Sequence, residues 1–157
     1  MDPPSVAAVV EAGRGLGLDV RPRRFDEGTR SAADAARAIG VEVGAIVKSL
    51  VFSVDGETVV ALVSGANRLD EAKLAAAAGG SSARRQDPAA VREATGFTVG
   101  GVPPFGHRRA LRTFVDEDLL AYDRLWAGAG TPDANFDVDP LDLVRATGGT
   151  VCNLAAC

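Results

Sequence analysis

The pattern of apolar and polar positions predicts helices and strands that interleave along the whole chain. Apolar residues recur at helical spacing over 4–16, and glycines then end this first helix. Either Thr29 or Ser31 can begin a second helix, because Asp34 follows Ser31 at capping-box spacing and Gly40 suits the residue after a helix end. This second segment is rich in alanine and amphipathic.

The strongest local pattern is that of a β-hairpin. Positions 46–54 are apolar or β-branched, Asp55-Gly56 is a turn sequence, and 58–63 is apolar again. Turn and capping residues predict further helices over 69–78, 88–96 and 140–146, while 119–126 is ambiguous. Further strands are predicted over 97–99, 110–115 and 134–138 and near Val151, and the first two of these enclose a loop of glycines and prolines.

Composition indicates one folded domain of the α/β class, with mixed α+β character. The chain has 157 residues, of which 46% are hydrophobic and 5% aromatic, so it can bury one core of aliphatic side chains and alanine. We find no internal repeat and no low-complexity linker, and we expect a single domain over 1–157. We also expect a cytoplasmic location and no membrane partner, because the sequence contains no apolar run of about 18 residues.

Composition also limits the chemistry. Cys152, Cys157 and the single histidine, His107, supply too few soft ligands for a zinc site, so we expect neither a metal nor a cofactor. No serine or cysteine lies in a nucleophile elbow, and no glycine-rich segment has a P-loop pattern. The net charge of −4 opposes nonspecific binding of nucleic acid, although arginines cluster at 21–24, 84–85 and 108–112. These clusters predict either local RNA contacts or simply solvated side chains.

Lys48 is the most unusual residue of the predicted hairpin. Side chains alternate along a strand, so Lys48 shares a face with Ile46, Leu50 and Phe52. An ammonium on an apolar face finds an anionic partner, loses its proton, or points into a cleft that receives a charged ligand. The alternative is an edge strand whose lysine reaches water and discourages aggregation.

The segment 100–107 combines glycines and prolines between two predicted strands. Glycine permits a close approach of the main chain to a ligand, and proline holds the loop stiff. Such a loop can present peptide groups to a substrate, or it can be an ordinary tight connection.

Taken together, these segments resemble the YbaK and prolyl-tRNA editing superfamily of aminoacyl-tRNA deacylases. Residues 29–36 look like the capped helix of the family, 46–52 like its lysine strand, and 100–104 like its glycine-x-x-x-proline loop. The order and separation of the three segments match as well. Residues 128–130 and 139–143 are weaker matches to the closing turn and the last helix of the family.

The resemblance implies a mixed, mainly antiparallel sheet that is partly barrel-like, with flanking helices and a pocket for the aminoacyl end of tRNA. It makes Lys48 and Gly101 the catalytic positions. In the family the terminal ribose hydroxyl of the substrate assists the attacking water, so no protein nucleophile is needed. The positions implied to bind substrate are Thr29, Lys48, Gly100, Gly101, Val102, Pro103, Pro104, Phe105, His107, Gly128 and Gly130.

The implied activity is hydrolysis in trans of mischarged aminoacyl-tRNA, with substrates of the tRNA(Pro) type and an aminoacyl-tRNA synthetase as a candidate partner. One departure from the family concerns Pro103, which stands where a serine is frequent and therefore removes a hydroxyl and an N–H. A noncatalytic tRNA-binding or protein-interaction module with the same fold is thus the second hypothesis. The amino acid stays open among alanine, cysteine, serine and threonine, because one methylene changes pocket selectivity by only about 1 to 3 kcal/mol.

Overall fold

A computed structural model describes residues 3–26, 29 and 31–157. Within these residues five α-helices flank one sheet: α1 (Pro4–Gly15), α2 (Ala32–Ile39), α3 (Glu71–Ala77), α4 (Pro88–Thr95) and α5 (Pro140–Thr147). Short 3₁₀ helices cover Val43–Ala45 and Glu117–Ala121. In the part of the chain that is described, no helix has the length and apolar character needed to cross a bilayer.

The sheet has eight strands within the described residues. They are β1 (Arg23–Arg24), β2 (Ile46–Val54), β3 (Glu57–Ser64), β4 (Ala83–Arg85), β5 (Thr113–Asp116), β6 (Leu125–Gly128), β7 (Ala134–Val138) and β8 (Thr150–Cys152). Their order is β1-β7-β6-β2-β3-β5-β8, and β4 pairs with β2 beside this path. Four pairings are antiparallel and three are parallel, so the predicted mixed sheet with flanking helices is confirmed. The sheet stays open rather than closing into a barrel.

Capping residues begin and end the helices where the sequence indicates. The Ser31 hydroxyl accepts a hydrogen bond from the N–H of Asp34 at 3.0 Å, and Gly40 takes a left-handed conformation after α2. Asp139 caps α5 by accepting from the N–H groups of its first turn, and Gly148 ends that helix. The helix predictions are therefore confirmed to within a few residues.

The strand predicted over 97–99 is wrong, because this segment bonds to the end of α4 instead of to the sheet. The Thr95 hydroxyl accepts from the N–H of Phe97 at 3.0 Å, and the Phe97 ring is buried in the core. The strand predicted over 110–115 begins later, at Thr113. The glycine and proline loop consequently joins α4 to β5, not two strands.

The two faces of the β2–β3 hairpin pack into different cores. Val47 and Val51 belong to the cluster that contains residues of α1, α4 and α5. Phe52 belongs to the cluster that contains Leu74 of α3. Ile46 packs with the alanines of α2 in a third, smaller cluster. The hairpin is therefore covered on both faces, as its apolar sequence requires.

The sheet is interrupted beside the middle of β2. One side of β2 pairs with β3 along nearly its whole length, from Val47 to Val54. On the other side, β6 pairs only with Ile46 and Val47, and β4 only with 52–54. Gln86, just after β4, also donates its N–H to the carbonyl oxygen of Val51 at 3.1 Å. Among the described residues, 48–50 therefore has no main-chain neighbour on that side, and a gap opens between β6 and β4.

The alternation of the β2–β3 ladder decides which main-chain groups face this gap. Gly65 donates its N–H to the carbonyl oxygen of Ile46 at 2.7 Å, so Ile46 is bonded toward β3. In an antiparallel ladder every second residue bonds to the same neighbour. The main-chain groups of Lys48 and Leu50 therefore also face β3, whereas those of Ser49 face the gap.

Candidate active site

A pocket of about 650 Å³ opens at the gap in the sheet. The middle of β2 forms one wall, and α2, the start of α4 and the glycine and proline loop contribute the others. Its lining residues come from segments far apart in sequence: Thr29, Ser31, Ala32, Ala35, Ile46, Val47, Lys48, Ser49, Leu50, Val51, Arg85, Gln86, Asp87, Pro88, Val91, Val99, Gly100, Val102, Gly128 and Asn135. Most of this surface is aliphatic, so the few polar groups dominate its chemistry.

Lys48 places a half-buried ammonium in this pocket. Its Nζ donates to the carbonyl oxygen of Asn67 at 2.5 Å, and this is its one hydrogen bond among the described residues. Burial lowers the pKa of Lys48, the positive charge of Arg85 lowers it further, and the carboxylate of Asp116 acts in the opposite direction. An ammonium has three protons to donate, so two remain for a ligand.

The acceptor of Lys48 is held by a buried polar network. The Asn67 side chain donates to the carboxylates of Asp116 at 2.8 Å and Asp118 at 2.7 Å. Asp116 is 0% exposed and also accepts from the N–H of Ser64 at 3.4 Å. Because the turn after β3 is tied to β5 in this way, the carbonyl that orients Lys48 is fixed by the fold.

The glycine and proline loop reaches the same pocket through Gly100 and Val102. Gly100 has a φ of +92°, a left-handed conformation that favours glycine. Gly101 donates its N–H to the carbonyl oxygen of Thr98 at 2.9 Å, and a Cβ there would lie 3.1 Å from the carbonyl oxygen of Gly130. The N–H of Gly101 is thus used within the loop, and its missing side chain permits close packing.

The later residues of the loop are directed into the fold. Pro103 and Pro104 are buried. The ring of Phe105 packs edge-on against Phe136, with 5.6 Å between ring centroids. His107 donates from Nε2 to the carbonyl oxygen of Pro103 at 2.7 Å, and burial lowers the pKa of this imidazole. These contacts fix the shape of the loop.

Of the remaining positions implied by the resemblance, two line the pocket and one packs behind it. Thr29 lines the pocket, donates to the carbonyl oxygen of Pro132 at 2.5 Å and accepts from Asn135 at 2.6 Å. Gly128 lines the pocket too. A Cβ on Gly130 would come within 2.7 Å of the carbonyl oxygen of Ser5, so this glycine permits contact with α1.

The fold thus brings part of the implied site together. Lys48 and the loop share one pocket, as the sequence hypothesis requires. The implied residues that line the pocket are Thr29, Lys48, Gly100, Val102 and Gly128. Those outside the pocket lining are Gly101, Pro103, Pro104, Phe105, His107 and Gly130.

Comparison with known protein families decides the class of this fold and pocket. The family described as the aminoacyl-tRNA editing domain matches residues 26–146. This chain belongs to that family. The matched range includes β2 and the glycine and proline loop, the two pocket segments that the sequence indicated as functional.

Three relatives show how editing domains of this kind occur. A proline–tRNA ligase of Maridesulfovibrio salexigens is 36% identical over 109 residues, which are 69% of this chain and 19% of the ligase. A proposed Cys-tRNA(Pro)/Cys-tRNA(Cys) deacylase of Enterococcus faecalis, EbsC, is 30% identical over 80% of this chain and 77% of its own length. A crystal structure of a proposed trans-editing enzyme for prolyl-tRNA synthetase superposes with a TM-score of 0.94 at 43% identity, covering 100% of both chains. The chain thus spans about a fifth of the ligase and most of the two shorter relatives.

Ser49 and Arg85 are among the pocket residues of this editing domain that the sequence did not indicate as part of the site. Ser49 lines the pocket, and its hydroxyl is the one buried side-chain polar atom without a hydrogen-bond partner in the described part of the chain. The sequence did contain an indication of this, because strand alternation places Ser49 between Val47 and Val51 on a face that packs into the core. Arg85 was noted only as one of two adjacent arginines, and its place beside Lys48 depends on the pairing of β4 with β2.

The chemistry available in the editing-domain pocket is electrostatic. Among the described residues, no three side chains of histidine, cysteine, aspartate or glutamate cluster as metal ligands. His107 is bonded to Pro103 and does not line the pocket. The ammonium of Lys48 and main-chain amides at the gap can instead stabilise negative charge that develops on a bound carbonyl group.

Proposed function

We propose that this chain hydrolyses the ester bond of mischarged aminoacyl-tRNA in trans, with substrates of the tRNA(Pro) type. The observation that carries the proposal is the convergence of the Lys48 ammonium and the glycine and proline loop on one pocket. Membership of the editing-domain family and the likeness to the trans-editing enzyme support it. Acting in trans, the protein would take tRNA released from a synthetase, and prolyl-tRNA synthetase is the proposed partner.

In the proposed reaction, water attacks the ester carbonyl of the aminoacyl group. A bond forms between the water oxygen and the carbonyl carbon, and the bond from that carbon to the ribose oxygen then breaks. The neighbouring ribose hydroxyl assists the water, and the water's proton passes to the departing ribose oxygen. The products are a free amino acid and tRNA with an intact ribose terminus, so no protein nucleophile takes part.

The contribution of the protein is orientation and charge. Lys48 has two ammonium protons left for the substrate, and its positive charge offsets the negative charge that develops on the carbonyl oxygen of the ester. Unpaired main-chain groups at Ser49 and the loop near Gly100 orient the aminoacyl group. The aliphatic wall from Val51, Val91 and Val102 can pack against the side chain of the amino acid, which stays open among alanine, cysteine, serine and threonine.

A panel of charged tRNAs tests the proposal directly. Purified protein is incubated with tRNA(Pro) carrying alanine, cysteine, serine, threonine or proline, and released amino acid is measured against spontaneous hydrolysis. We expect accelerated release of at least one small noncognate amino acid and no acceleration for proline. Release at the spontaneous rate from every substrate would contradict the proposal.

One observation favours a second candidate, a tRNA-binding module without turnover. The N–H of Gly101 is bonded to Thr98, and Pro103 has no N–H, so the loop offers fewer donors for an oxyanion. This candidate predicts tRNA binding that weakens as salt rises, with no release of amino acid from any member of the panel.

A further inference from the structure

A second pocket of about 300 Å³ adjoins the first one on the face of β2 that carries Lys48. It shares Lys48, Leu50 and Arg85 with the larger pocket. The remaining lining residues are Phe52, Arg68, Leu69 and Glu71. A molecule bound in the larger pocket can therefore continue past Lys48 into this smaller one.

The smaller pocket concentrates positive charge. Lys48, Arg68 and Arg85 line it together with a single carboxylate, that of Glu71. None of the eight ion pairs found among the described residues includes Lys48, Arg68 or Arg85. We call these three cations the basic cradle.

Among the described residues, eight of the twelve other arginines have a carboxylate partner. Arg112 makes two short hydrogen bonds with Glu57, and Arg24 makes two with Asp133. Arg84, the immediate neighbour of Arg85 on β4, lies 4.0 Å from Asp87. Arg84 and Arg85 thus differ although they are adjacent on one strand: Arg84 lies near a carboxylate, whereas Arg85 has no ion-pair partner among the described residues.

The fold holds the cradle cations close together despite their repulsion. The guanidinium of Arg85 lies over the ring of Phe52, 5.8 Å from its centroid, and β4 pairs Arg85 with Phe52 across the sheet. Its charge is one cause of the lowered pKa of Lys48. An anion between the three groups would relieve this repulsion and accept hydrogen bonds from all of them.

We propose that the basic cradle of Lys48, Arg68 and Arg85 binds a phosphodiester of the RNA strand that ends in the aminoacylated ribose. This inference rests on the proposed function for the occupant of the larger pocket. Lys48 stands at the junction, so it meets the ester on one side and the RNA backbone on the other. Arg68 and Arg85 contact the phosphate and do not touch the reacting carbonyl.

The test compares adjacent arginines of one strand. Arg85→Gln and Arg68→Gln remove cradle cations, and Arg84→Gln is the matched control because Arg84 lies outside both pockets. Binding of a fluorescent minihelix that ends in CCA and carries no amino acid is measured by anisotropy between about 50 and 200 mM salt. Affinity that depends on phosphate contacts changes strongly over this range. Circular dichroism checks that each variant folds.

We expect each cradle variant to weaken binding by about 10-fold and to reduce the slope of log affinity against log salt by roughly 0.7 to 0.9, the value of one phosphate contact. Arg84→Gln should leave that slope unchanged. Equal slopes for Arg84→Gln, Arg85→Gln and Arg68→Gln would overturn the proposal. Inorganic phosphate at constant ionic strength is the second probe. If phosphate raises the melting temperature of the wild type but not of Arg85→Gln, while both proteins bind the minihelix equally well, the site takes a free anion and the proposal fails.

A deacylation assay on the same variants separates the two hypotheses. Wild-type protein that binds the minihelix through the cradle but releases no amino acid would contradict the proposed hydrolysis and support the cradle. Wild-type protein that deacylates tRNA, with KM unchanged by Arg85→Gln and Arg68→Gln, would support hydrolysis and overturn the cradle.

Discussion

The two strands of the central hairpin differ in what lies on their outer sides. The outer side of β3 pairs with β5, and Val59 to Val63 are all 0% exposed. The outer side of β2 loses its neighbours over 48–50, and Lys48, Ser49 and Leu50 are only partly buried. One strand is built for packing, whereas the other combines packing at its ends with an opening at its centre.

This difference shows how the fold makes a site without a dedicated loop insertion. Two short strands, β4 and β6, each pair with one end of β2 and diverge in between. The gap exposes main-chain groups and the Lys48 ammonium to a pocket, while both ends of β2 remain fixed in the sheet. Rigid support on either side of the opening holds the Lys48 ammonium in a defined position.

The largest expected effect on stability is the difference between a leucine of β3, the packed strand, and a leucine of β2 at the gap. Leu62→Ala should lower the free energy of unfolding by about 2 to 5 kcal/mol, because this fully buried side chain leaves a cavity. Leu50→Ala, at the gap, should cost no more than about 1 kcal/mol. Urea denaturation measures both, and equal losses would contradict the assignment of 48–50 as an opening.

Substituting alanine for one serine on each strand of the hairpin should change stability in opposite directions. The Ser64 hydroxyl donates to the carbonyl oxygen of Gly44 at 2.8 Å and accepts from the N–H of Ala66, so Ser64→Ala should destabilise the protein by about 1 to 3 kcal/mol. The buried Ser49 hydroxyl has no partner in the described residues, so Ser49→Ala should stabilise it by about 1 kcal/mol. Melting temperatures of the two variants should move in opposite directions, and a lower one for Ser49→Ala would show that its hydroxyl is bonded.

The smallest expected effect concerns the loop that faces the gap. Burial lowers the pKa of His107 below its ordinary value of 6.5, so the native state favours the neutral imidazole and the unfolded chain binds a proton at higher pH. This contribution to stability is complete above about pH 6.5 and is lost as the pH falls toward the native pKa. Urea midpoints at about pH 7.5 and 5.5 should therefore differ less in His107→Gln than in the wild type. An identical difference in both proteins would exclude His107 as the source.

Local sequence patterns accounted for much of the architecture. The hairpin follows from one turn sequence between two apolar runs, and the helices follow from their capping residues. The prediction that Lys48 shares a face with Leu50 and Phe52 depends only on strand alternation. The unbroken β2–β3 register and the joint lining of the smaller pocket by these three residues confirm it. Such features depend on neighbours within a few residues.

Long-range pairing supplied what the sequence could not reveal. The strands β1, β4 and β6 have only two to four residues, too few for a periodic pattern, and they exist because β7 and β2 offer partners. The gap in the sheet, the role of Ser49 in its wall and the basic cradle all depend on those pairings. The error at 97–99 has the same origin, since an apolar run can be buried beneath a helix end as well as in a sheet.

We propose that the ammonium in the gap drives ester hydrolysis, and the two lysines of the chain allow a direct test of its role. Lys48 and Lys73 each donate to a main-chain carbonyl at 2.5 Å, but only Lys48 lines the pocket. In single-turnover assays with mischarged tRNA(Pro), Lys48→Ala should slow release of the amino acid by about 100-fold to 1000-fold. Lys73→Ala should release it at the wild-type rate. Equal rates for Lys48→Ala and the wild type, with both proteins folded, would contradict the account.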